Sequence, residues 1–424
     1  MARTPVYPMT YQISIFQDLL QKYPTWDALQ TYLTSPDGGT IRCVGEGKYR
    51  VLRYTKGISD LNVPHGKWMR SVIWDTEHHL PVCIAPSKAE KGDVPTGDNV
   101  SYSSVQDFLD GIMINVFKTE DPSNPLQIAT RTQIGANGKF YSEKTFAQMF
   151  DEALAMMGMT KEDLLKHLGT NQFASFLLQH PEHRVVARCR NAHLWIIHTG
   201  SITRDGMVTI DEMCGTWPVR VQLESYETNV QNEQAVTSDA NLSKFFSDVC
   251  EKRGWFYQGM VFKDGKGNRW RLRNPNYLYL RSLRGSEATD MQRFLRLRSE
   301  SKVTEYLKHY SEDRQAFWVL EQNLRARTLD VFTGYCQVHK TREKKLEDLD
   351  WAVKPCVFKL HSHYLEHLRP NNEKVYMKHA VELVNNLQLF EQARLLTPVR
   401  PATGHPTGGL AAAANALAAA AMAM

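Results

Sequence analysis

The sequence predicts an α+β protein in which a part with antiparallel strands precedes an all-helical part. A chain of 424 residues exceeds what one hydrophobic core usually organises. Short strand-like segments separated by glycine and proline dominate up to about residue 280, whereas residues from about 286 to 396 have apolar side chains at helical spacing. We therefore expect domains at 1–280 and 286–396, followed by a flexible Ala-rich tail at 397–424.

Six strands are predicted in the first part. They are 46–54, 68–75, 184–190, 193–198, 258–263 and 269–273. The last two are joined by Asp264-Gly265-Lys266-Gly267-Asn268, which predicts a hairpin. Such a hairpin would place Gln258 and Arg271 on neighbouring strands of one pocket.

Helices are predicted from caps and periodicity. Ser142 is expected to cap a helix that Gly158 ends, and Thr160 to Asp163 resembles a capping box that opens a helix ending at Gly169. In the second part, the apolar runs that begin at Val303 and Phe317 recur at i, i+3, i+4 and i+7. Pro355 and Pro370 separate the later helices.

Charge is distributed unevenly although the net value is only +5. Eight arginines between 269 and 298 face only Glu287 and Asp290, and aromatic residues lie among them. This composition suits backbone phosphates and unstacked bases. The alternative is a solvated helix face whose arginines pair with acidic helices downstream.

Cysteine usage and hydropathy exclude several classes of protein. The seven cysteines are scattered, odd in number and without a Cys-x-x-Cys pair, which favours a reducing compartment and argues against zinc. His361, His363 and His367 fit one amphipathic helix better than a metal site, so no metal is expected. No signal peptide or membrane span is visible, and a cytoplasmic location without a membrane partner is expected.

The most informative segment is Phe108-Leu109-Asp110-Gly111. Covalent nucleotidyltransferases carry Lys-x-Asp-Gly at this kind of strand, where the lysine amine attacks the α-phosphate of a nucleoside triphosphate. Here the lysine position holds Phe108, whose phenyl ring cannot form a phosphoramidate.

Further segments follow in order, and as a series they are more specific than any one of them. They are Ile128-Ala129-Thr130-Arg131-Thr132, the stretch 176–186, Gln258-Gly259-Met260-Val261-Phe262-Lys263-Asp264 and Arg269-Trp270-Arg271-Leu272-Arg273-Asn274-Pro275-Asn276-Tyr277. Together with the Asp-Gly segment they resemble the successive motifs of the phage-type RNA ligase 1 family and its relatives in large DNA viruses, over roughly residues 40–280. The resemblance implies a nucleotidyltransferase fold with a helical C-terminal domain, and a location in host cytoplasm, virus factory or virion.

Compared with the motifs of this family, the residues that would carry out nucleotidyl transfer are replaced in this sequence. The nucleophilic lysine falls at Phe108, one glutamate at Leu177, the metal-associated glutamate at Gln258, and two lysines at Arg271 and Arg273. The pocket-shaping positions are retained, namely Asp110, Gly111, Arg131, Pro181, Arg184, Gly259 and Tyr277. Loss of a nucleophile and of carboxylates that support magnesium leaves a site suited to holding phosphate rather than transferring it.

Two sets of binding residues are therefore predicted. The nucleotide- or phosphate-binding set is Arg70, Asp110, Gly111, Arg131, Gln258, Arg271 and Arg273, and the RNA-binding set is Trp270, Tyr277, Arg281 and Arg284. Purely structural alternatives exist for each: Phe108 as the start of a buried strand, Arg269 to Arg273 as the solvated face of a hairpin, and Arg131 as an ordinary exposed arginine.

Three function classes remain open. The first is a catalytically degenerate RNA-ligase-like protein that binds RNA or nucleotide phosphates, with single-stranded RNA or structured RNA ends as the expected partner. The second is an active ligase, dependent on ATP and Mg²⁺, whose nucleophile has moved to Lys88, Lys118 or Lys263, with Lys263 favoured because it follows the pocket strand. The third is a structural or virion-associated scaffold.

Overall fold

The chain divides into two compact units, one ending at Ser282 and one beginning at Leu283. The computed structural model describes residues 10–90, 94–97, 102, 104–212, 214 and 238–397. The first unit contains antiparallel sheets and helices, and the second consists of helices and turns in its described part, so the predicted α+β class is confirmed at this level. The Ala-rich tail lies outside the described residues from position 398 onward.

Three antiparallel sheets form the framework of the first unit. The strands are β1 (Thr10–Ile13), β2 (Arg42–Val44), β3 (Tyr49–Arg53), β4 (Val72–Asp75), β5 (Leu80–Ile84), β6 (Ser104–Asp107), β7 (Ile112–Lys118), β8 (Leu126–Ala129), β9 (Gln172–Gln179), β10 (His193–Ile202), β11 (Val208–Asp211), β12 (Gly259–Lys263) and β13 (Arg269–Arg273). Their orders are β1-β11-β10-β9-β7-β8, β13-β12-β6 and β2-β3-β4-β5. The predicted hairpin of β12 and β13 is confirmed.

Helices cover these sheets. They are α1 (Ile15–Lys22), α2 (Trp26–Thr34), α3 (Phe146–Met156), α4 (Lys161–His167) and α5 (Asp239–Arg253), followed by α6 (Pro275–Arg284), in which the boundary between the units falls. The capping box of Thr160 with Asp163 forms as predicted at the start of α4. The first two predicted strands exist but are shorter, since only 49–53 and 72–75 are paired.

Two local predictions are wrong. The stretch 184–190 is not a strand, because the amides of Val186 and Ala187 donate to the Asp110 carboxylate and the Val186 carbonyl accepts from the Arg184 side chain. These side chains satisfy backbone groups that a neighbouring strand would otherwise satisfy. Ser142 does not cap α3. Thr145 does so, in a capping box with Gln148, whereas the Ser142 hydroxyl donates to Glu182.

The six-stranded sheet separates two cores. One face carries Ile114, Phe176 and Leu178, which pack against apolar side chains of α3 and α4. The other face carries Phe117 and Phe173, which pack with α1, α2 and the four-stranded sheet. A third core joins α5 to one face of the three-stranded sheet. The opposite face of that sheet is thereby left to form the site described below.

The second unit contains α7 (Asp290–Ser299), α8 (Val303–His309), α9 (Arg314–Tyr335), α10 (Lys354–His363), α11 (Met377–Asn386) and α12 (Leu389–Leu396). Pro355 lies in the first turn of α10, where its missing N–H costs no hydrogen bond. Across the described ranges, no helix is both long enough and apolar enough to cross a membrane.

Candidate functional site

A cavity of 350 Å³ lies in the first unit between the six-stranded and the three-stranded sheets, a size that suits small ligands. Its lining is dominated by cationic side chains: Arg70, Lys88, Arg131, Arg269, Arg271, Arg273 and Arg281. Two carboxylates, Asp107 and Asp110, also line it. The apolar part of the wall comes from Met113, Leu177 and Ile197, on strands β7, β9 and β10.

Strand alternation explains why three arginines share this wall. Successive side chains of a strand point to opposite faces, so Arg269, Arg271 and Arg273 lie on one face of β13. Trp270 and Leu272 lie on the other face and pack into the core with α5. The period-2 charge therefore faces a cavity in the folded protein rather than open solvent.

Phe108 lies at the cavity, where the resemblance places the nucleophile. Its backbone N–H donates to the Gly259 carbonyl at 2.8 Å, which extends the pairing of β6 with β12. The guanidinium carbons of Arg271 and Arg273 lie 5.9 and 5.5 Å from the centroid of the Phe108 ring. The ring thus supports two cations through cation–π contacts.

Two glycines allow this part of the site to close. A Cβ on Gly111 would lie 2.6 Å from the Leu178 carbonyl oxygen, because β7 begins directly against β9. Gly259 has φ of +142°, and a Cβ there would meet the Leu272 carbonyl oxygen at 2.0 Å. Any side chain at these positions would separate strands that form the cavity wall.

The arginines of the cavity repel one another. Loss of water around Arg70, together with the neighbouring cations Arg269, Arg131 and Arg271, lowers the pKa of Arg70 to about 10. Burial also lowers the pKa of Arg273, and the charge of Arg271 acts in the same direction. Within the described ranges no ion pair joins a carboxylate to any cavity arginine.

The two carboxylates at the cavity have other partners. Asp107 pairs with Arg253 at 2.8 Å. Asp110 accepts hydrogen bonds from the backbone amides of Val186 and Ala187 at 3.0 and 3.2 Å. Asp110 acts on Arg273 through its charge, but among the residues described it forms no ion pair with a cavity arginine.

Arg131 is held at the cavity by Tyr54. Its guanidinium donates to the Tyr54 carbonyl at 3.1 Å, and its central carbon lies 4.4 Å from the centroid of the Tyr54 ring. The Lys88 ammonium lies 5.5 Å from the same centroid. A single aromatic ring therefore places two cations at the cavity, and Arg131 is not an ordinary exposed arginine.

The structure brings all seven predicted phosphate-binding residues together. The cavity is lined by Arg70, Phe108, Asp110, Gly111, Arg131, Gln258, Arg271 and Arg273, and by Arg281 from the predicted RNA-binding set. As predicted, Gln258 and Arg271 share one pocket.

Three predicted RNA-binding residues do not belong to this group. The Tyr277 ring is fully buried, so it presents no face to which RNA could bind, and its place in the RNA-binding set is wrong. Trp270 lies on the opposite face of β13, where its ring meets Tyr102 edge-on at 5.8 Å. Arg284 belongs to the second unit and is buried in an ion pair with Asp313 at 2.6 Å.

Of the three lysines proposed as replacement nucleophiles, one lines the cation-rich cavity and two do not. Lys263 is only 2% exposed, pairs with Glu212 at 3.2 Å and does not line the cavity. Burial lowers the pKa of Lys263, but a nucleotide in the cavity could not reach its amine. Lys118 lines a different cavity. Lys88 does line the cation-rich one.

Tyr54, Lys88 and Arg269 also line the site, although none of them belongs to the predicted phosphate-binding set. Arg269 could have been included, because alternation places it on the face of Arg271 and Arg273. No local signal identifies Tyr54 or Lys88, which reach the cavity through packing of distant segments.

No group of three or more His, Cys, Asp or Glu side chains in the described part of the chain is arranged to hold a metal ion. Compared with known proteins, the sequence matches no family model and is similar to no curated protein.

Proposed function

We propose that this protein is a catalytically degenerate RNA-ligase-like protein that binds the phosphates of RNA or of a nucleotide. The observation that carries the proposal is the group of six arginines at one cavity without an ion pair among the described residues. Phosphates supply several acceptor oxygens and negative charge, which match arginine geometry.

The energetics support an anionic ligand. Like charges brought together away from water raise the free energy of the folded state, and the low pKa of Arg70 reports this cost. A bound polyanion would remove the repulsion and restore charge-assisted hydrogen bonds. An arrangement that only stabilised the fold would place carboxylates between the arginines.

Binding without transfer is supported by three substitutions at the cavity. Phe108 offers no nucleophilic atom where the resemblance places the lysine, and Leu177 and Gln258 offer no carboxylate for magnesium. Arg271 and Arg273 hold charge but do not transfer protons, because a guanidinium remains protonated at neutral pH.

The experiment is to incubate the purified protein with α-labelled ATP or GTP and Mg²⁺, and to measure binding of labelled single-stranded RNA in parallel. We expect RNA binding that weakens steeply with added salt, and no covalent adduct. A labelled band that survives denaturation would overturn the degenerate assignment. Absence of RNA and nucleotide binding would favour the scaffold alternative.

A second candidate, an active ligase with a relocated nucleophile, is favoured only by the position of Lys88. This lysine lines the cavity beside Arg70 and Arg131. Neighbouring cations promote the neutral amine that attacks a phosphate. If a covalent adduct forms, Lys88→Arg should abolish it, whereas Lys118→Arg should not.

A further inference from the structure

A second cavity of 230 Å³ adjoins the cation-lined one and has a different chemistry. The two share a wall formed by residues 107–110 and Gln258. Beyond this wall the lining includes Phe256 and Tyr257, with Arg253 at its edge. A ligand whose phosphates occupied the first cavity would therefore meet aromatic rings next to them.

Gln258 faces both cavities and has an unsatisfied acceptor. Its side chain is 7% exposed, and its carbonyl oxygen Oε1 is buried without a hydrogen-bond partner among the described residues. A buried acceptor that lacks a donor destabilises the folded state. Phosphate oxygens at neutral pH accept hydrogen bonds, so they cannot satisfy it. A ribose hydroxyl or a base N–H can.

Phe256 offers a stacking surface at this cavity. Its ring is 43% exposed, although an apolar side chain of this size is usually buried. The guanidinium carbon of Arg184 lies 5.8 Å from its centroid. Trp255, also exposed, meets Tyr279 edge-on at 6.2 Å. The pairing of an exposed aromatic ring with a cation is typical of surfaces that bind single-stranded nucleic acid.

A local signal for this surface exists in the sequence. Gly254 ends α5 with φ of +75°, and three aromatic residues follow it without interruption. The change of direction at Gly254 brings Phe256 and Tyr257 to the second cavity, while β12 starts two residues later at Gly259. The aromatic surface and Gln258 are thus fixed by the same short segment.

We propose that the ligand is a single-stranded nucleic acid. One of its bases stacks on Phe256 and one of its N–H or O–H groups donates to Gln258, while adjacent phosphates occupy the cation-lined cavity. This inference rests on the proposed phosphate-binding function and adds a site for a base next to the phosphates. Inside a duplex the bases are stacked on one another, so only a single-stranded segment or a strand end presents a face to Phe256.

The test compares two probes on the full-length protein: a labelled short oligouridylate and inorganic tripolyphosphate, which carries charge but no base. Phe256→Ala should weaken oligouridylate binding about tenfold, as expected for loss of one stacked base. The affinity for tripolyphosphate should not change. Phe256→Tyr, which keeps the ring, should bind like the parent, and so should Phe390→Ala, which removes an exposed phenyl ring in α12.

A third variant tests the hydrogen bond. Gln258→Met keeps the length of the side chain but removes its amide acceptor, and should weaken oligouridylate binding about fivefold. Duplex RNA of the same length should bind more weakly than the single strand. Together these results would support the assignment of base and donor to the second cavity.

The opposite results separate this inference from the function on which it rests. Unchanged oligouridylate affinity in both Phe256→Ala and Gln258→Met, with both probes weakened by Arg271→Gln/Arg273→Gln, would overturn the single-strand inference and leave phosphate binding intact. Equal affinity for duplex and single strand would also overturn it. If the parent bound neither probe, the proposed function itself would fail.

Discussion

The arginine-rich run between residues 269 and 298 is used differently in the two units. In the first unit, Arg269, Arg271, Arg273 and Arg281 line a cavity and form no ion pair with a carboxylate of the described residues. In the second unit, the four arginines Arg284, Arg293, Arg296 and Arg298 each lie within 3.3 Å of a carboxylate oxygen of Asp290, Asp313, Glu287 or Glu321. Each half of the run contains four arginines, but the charged side chains around them differ.

This difference distinguishes arginines whose charge is neutralised by ion pairs within the fold from arginines that form no such pair. Arg293 is almost completely buried and pairs with both Asp290 and Asp313, so its charge is compensated within the fold. Compensation makes such an arginine part of the architecture. The arginines at the cavity of the first unit lack such ion pairs with carboxylates of the described residues. The ion-paired alternative is confirmed for the second half of the run, whereas phosphate binding by the first half stays a proposal.

The largest effect on stability is expected when a carboxylate that neutralises a buried arginine is removed. Asp313→Ala should lower the free energy of unfolding by about 3–5 kcal/mol, because it leaves the buried Arg284 without its carboxylate and weakens the pairing of Arg293. Urea denaturation of the full chain measures this. Asp330→Ala removes the carboxylate of an exposed pair with Arg327 and should cost less than about 1 kcal/mol. An equal loss of stability in both variants would contradict the proposed difference between buried and exposed ion pairs.

Removal of cations from the cavity should weaken RNA binding without lowering the stability of the fold. Arg271→Gln/Arg273→Gln should weaken single-stranded RNA binding about a hundredfold at low salt and flatten its salt dependence, because two charge-assisted contacts are lost. The free energy of unfolding should stay the same or rise, since repulsion between arginines is relieved.

Titration of the double mutant with labelled RNA, alongside thermal unfolding, measures both quantities. The control is Arg190→Gln, at an exposed position away from the cavity, which should leave RNA affinity unchanged. Parent-like RNA binding by the double mutant would exclude the cavity as the phosphate site and favour a scaffold role.

A pH effect of intermediate size is expected from His198. Burial lowers its pKa to about 3, and the charges of Lys263, Arg269 and Arg70 act in the same direction. The unfolded chain takes up a proton near pH 6.5 while the folded chain does not, so stability is present above pH 6.5 and is lost as pH falls toward 3.

Between pH 8 and 5 this group should therefore account for about 2 kcal/mol of lost stability. His198→Gln, which keeps an N–H donor for the Ile84 carbonyl, should remove that part of the pH dependence. Urea denaturation of parent and variant at several pH values provides the measurement. Parallel pH profiles would show that the cavity region does not hold His198 neutral.

The smallest effect is expected from the ring at the nucleophile position. Phe108→Leu should weaken tripolyphosphate binding about twofold to fivefold, because the cation–π support of Arg271 and Arg273 is lost while both charges remain. Isothermal titration calorimetry resolves this difference. Phe358→Leu, at an exposed position in α10, serves as the matched control. A hundredfold loss would mean that Phe108 contacts the ligand directly.

Much of the local structure was predictable from the sequence. The hairpin of β12 and β13, the capping box of Thr160 and the helices of the second unit follow from neighbouring residues. The grouping of Arg271 with Arg273 followed as well, because strand alternation places them on one face of β13. Gln258 precedes β12 and reaches the same cavity although the hairpin register does not place it on that face. Whether that face binds RNA stays a prediction.

Predictions failed where distant residues compete for the same groups. The stretch 184–190 contains β-forming residues, but Asp110 takes the amides that a strand would pair. Tyr277 was expected at a binding surface and is instead fully buried. Lys263 was expected at the pocket, but it is buried in an ion pair with Glu212 and does not line the cavity. None of these partners is close in the sequence to the residue it affects.

The sequence by itself determined which side chains share a face, because helical and strand periodicity depend only on the local backbone. Only the tertiary structure decided what each face meets: a core for Trp270, a carboxylate for Arg284, and an uncompensated cavity for Arg271. Charge acquires its role from burial and from the charges nearby in space, and these arise when segments far apart in the chain pack together.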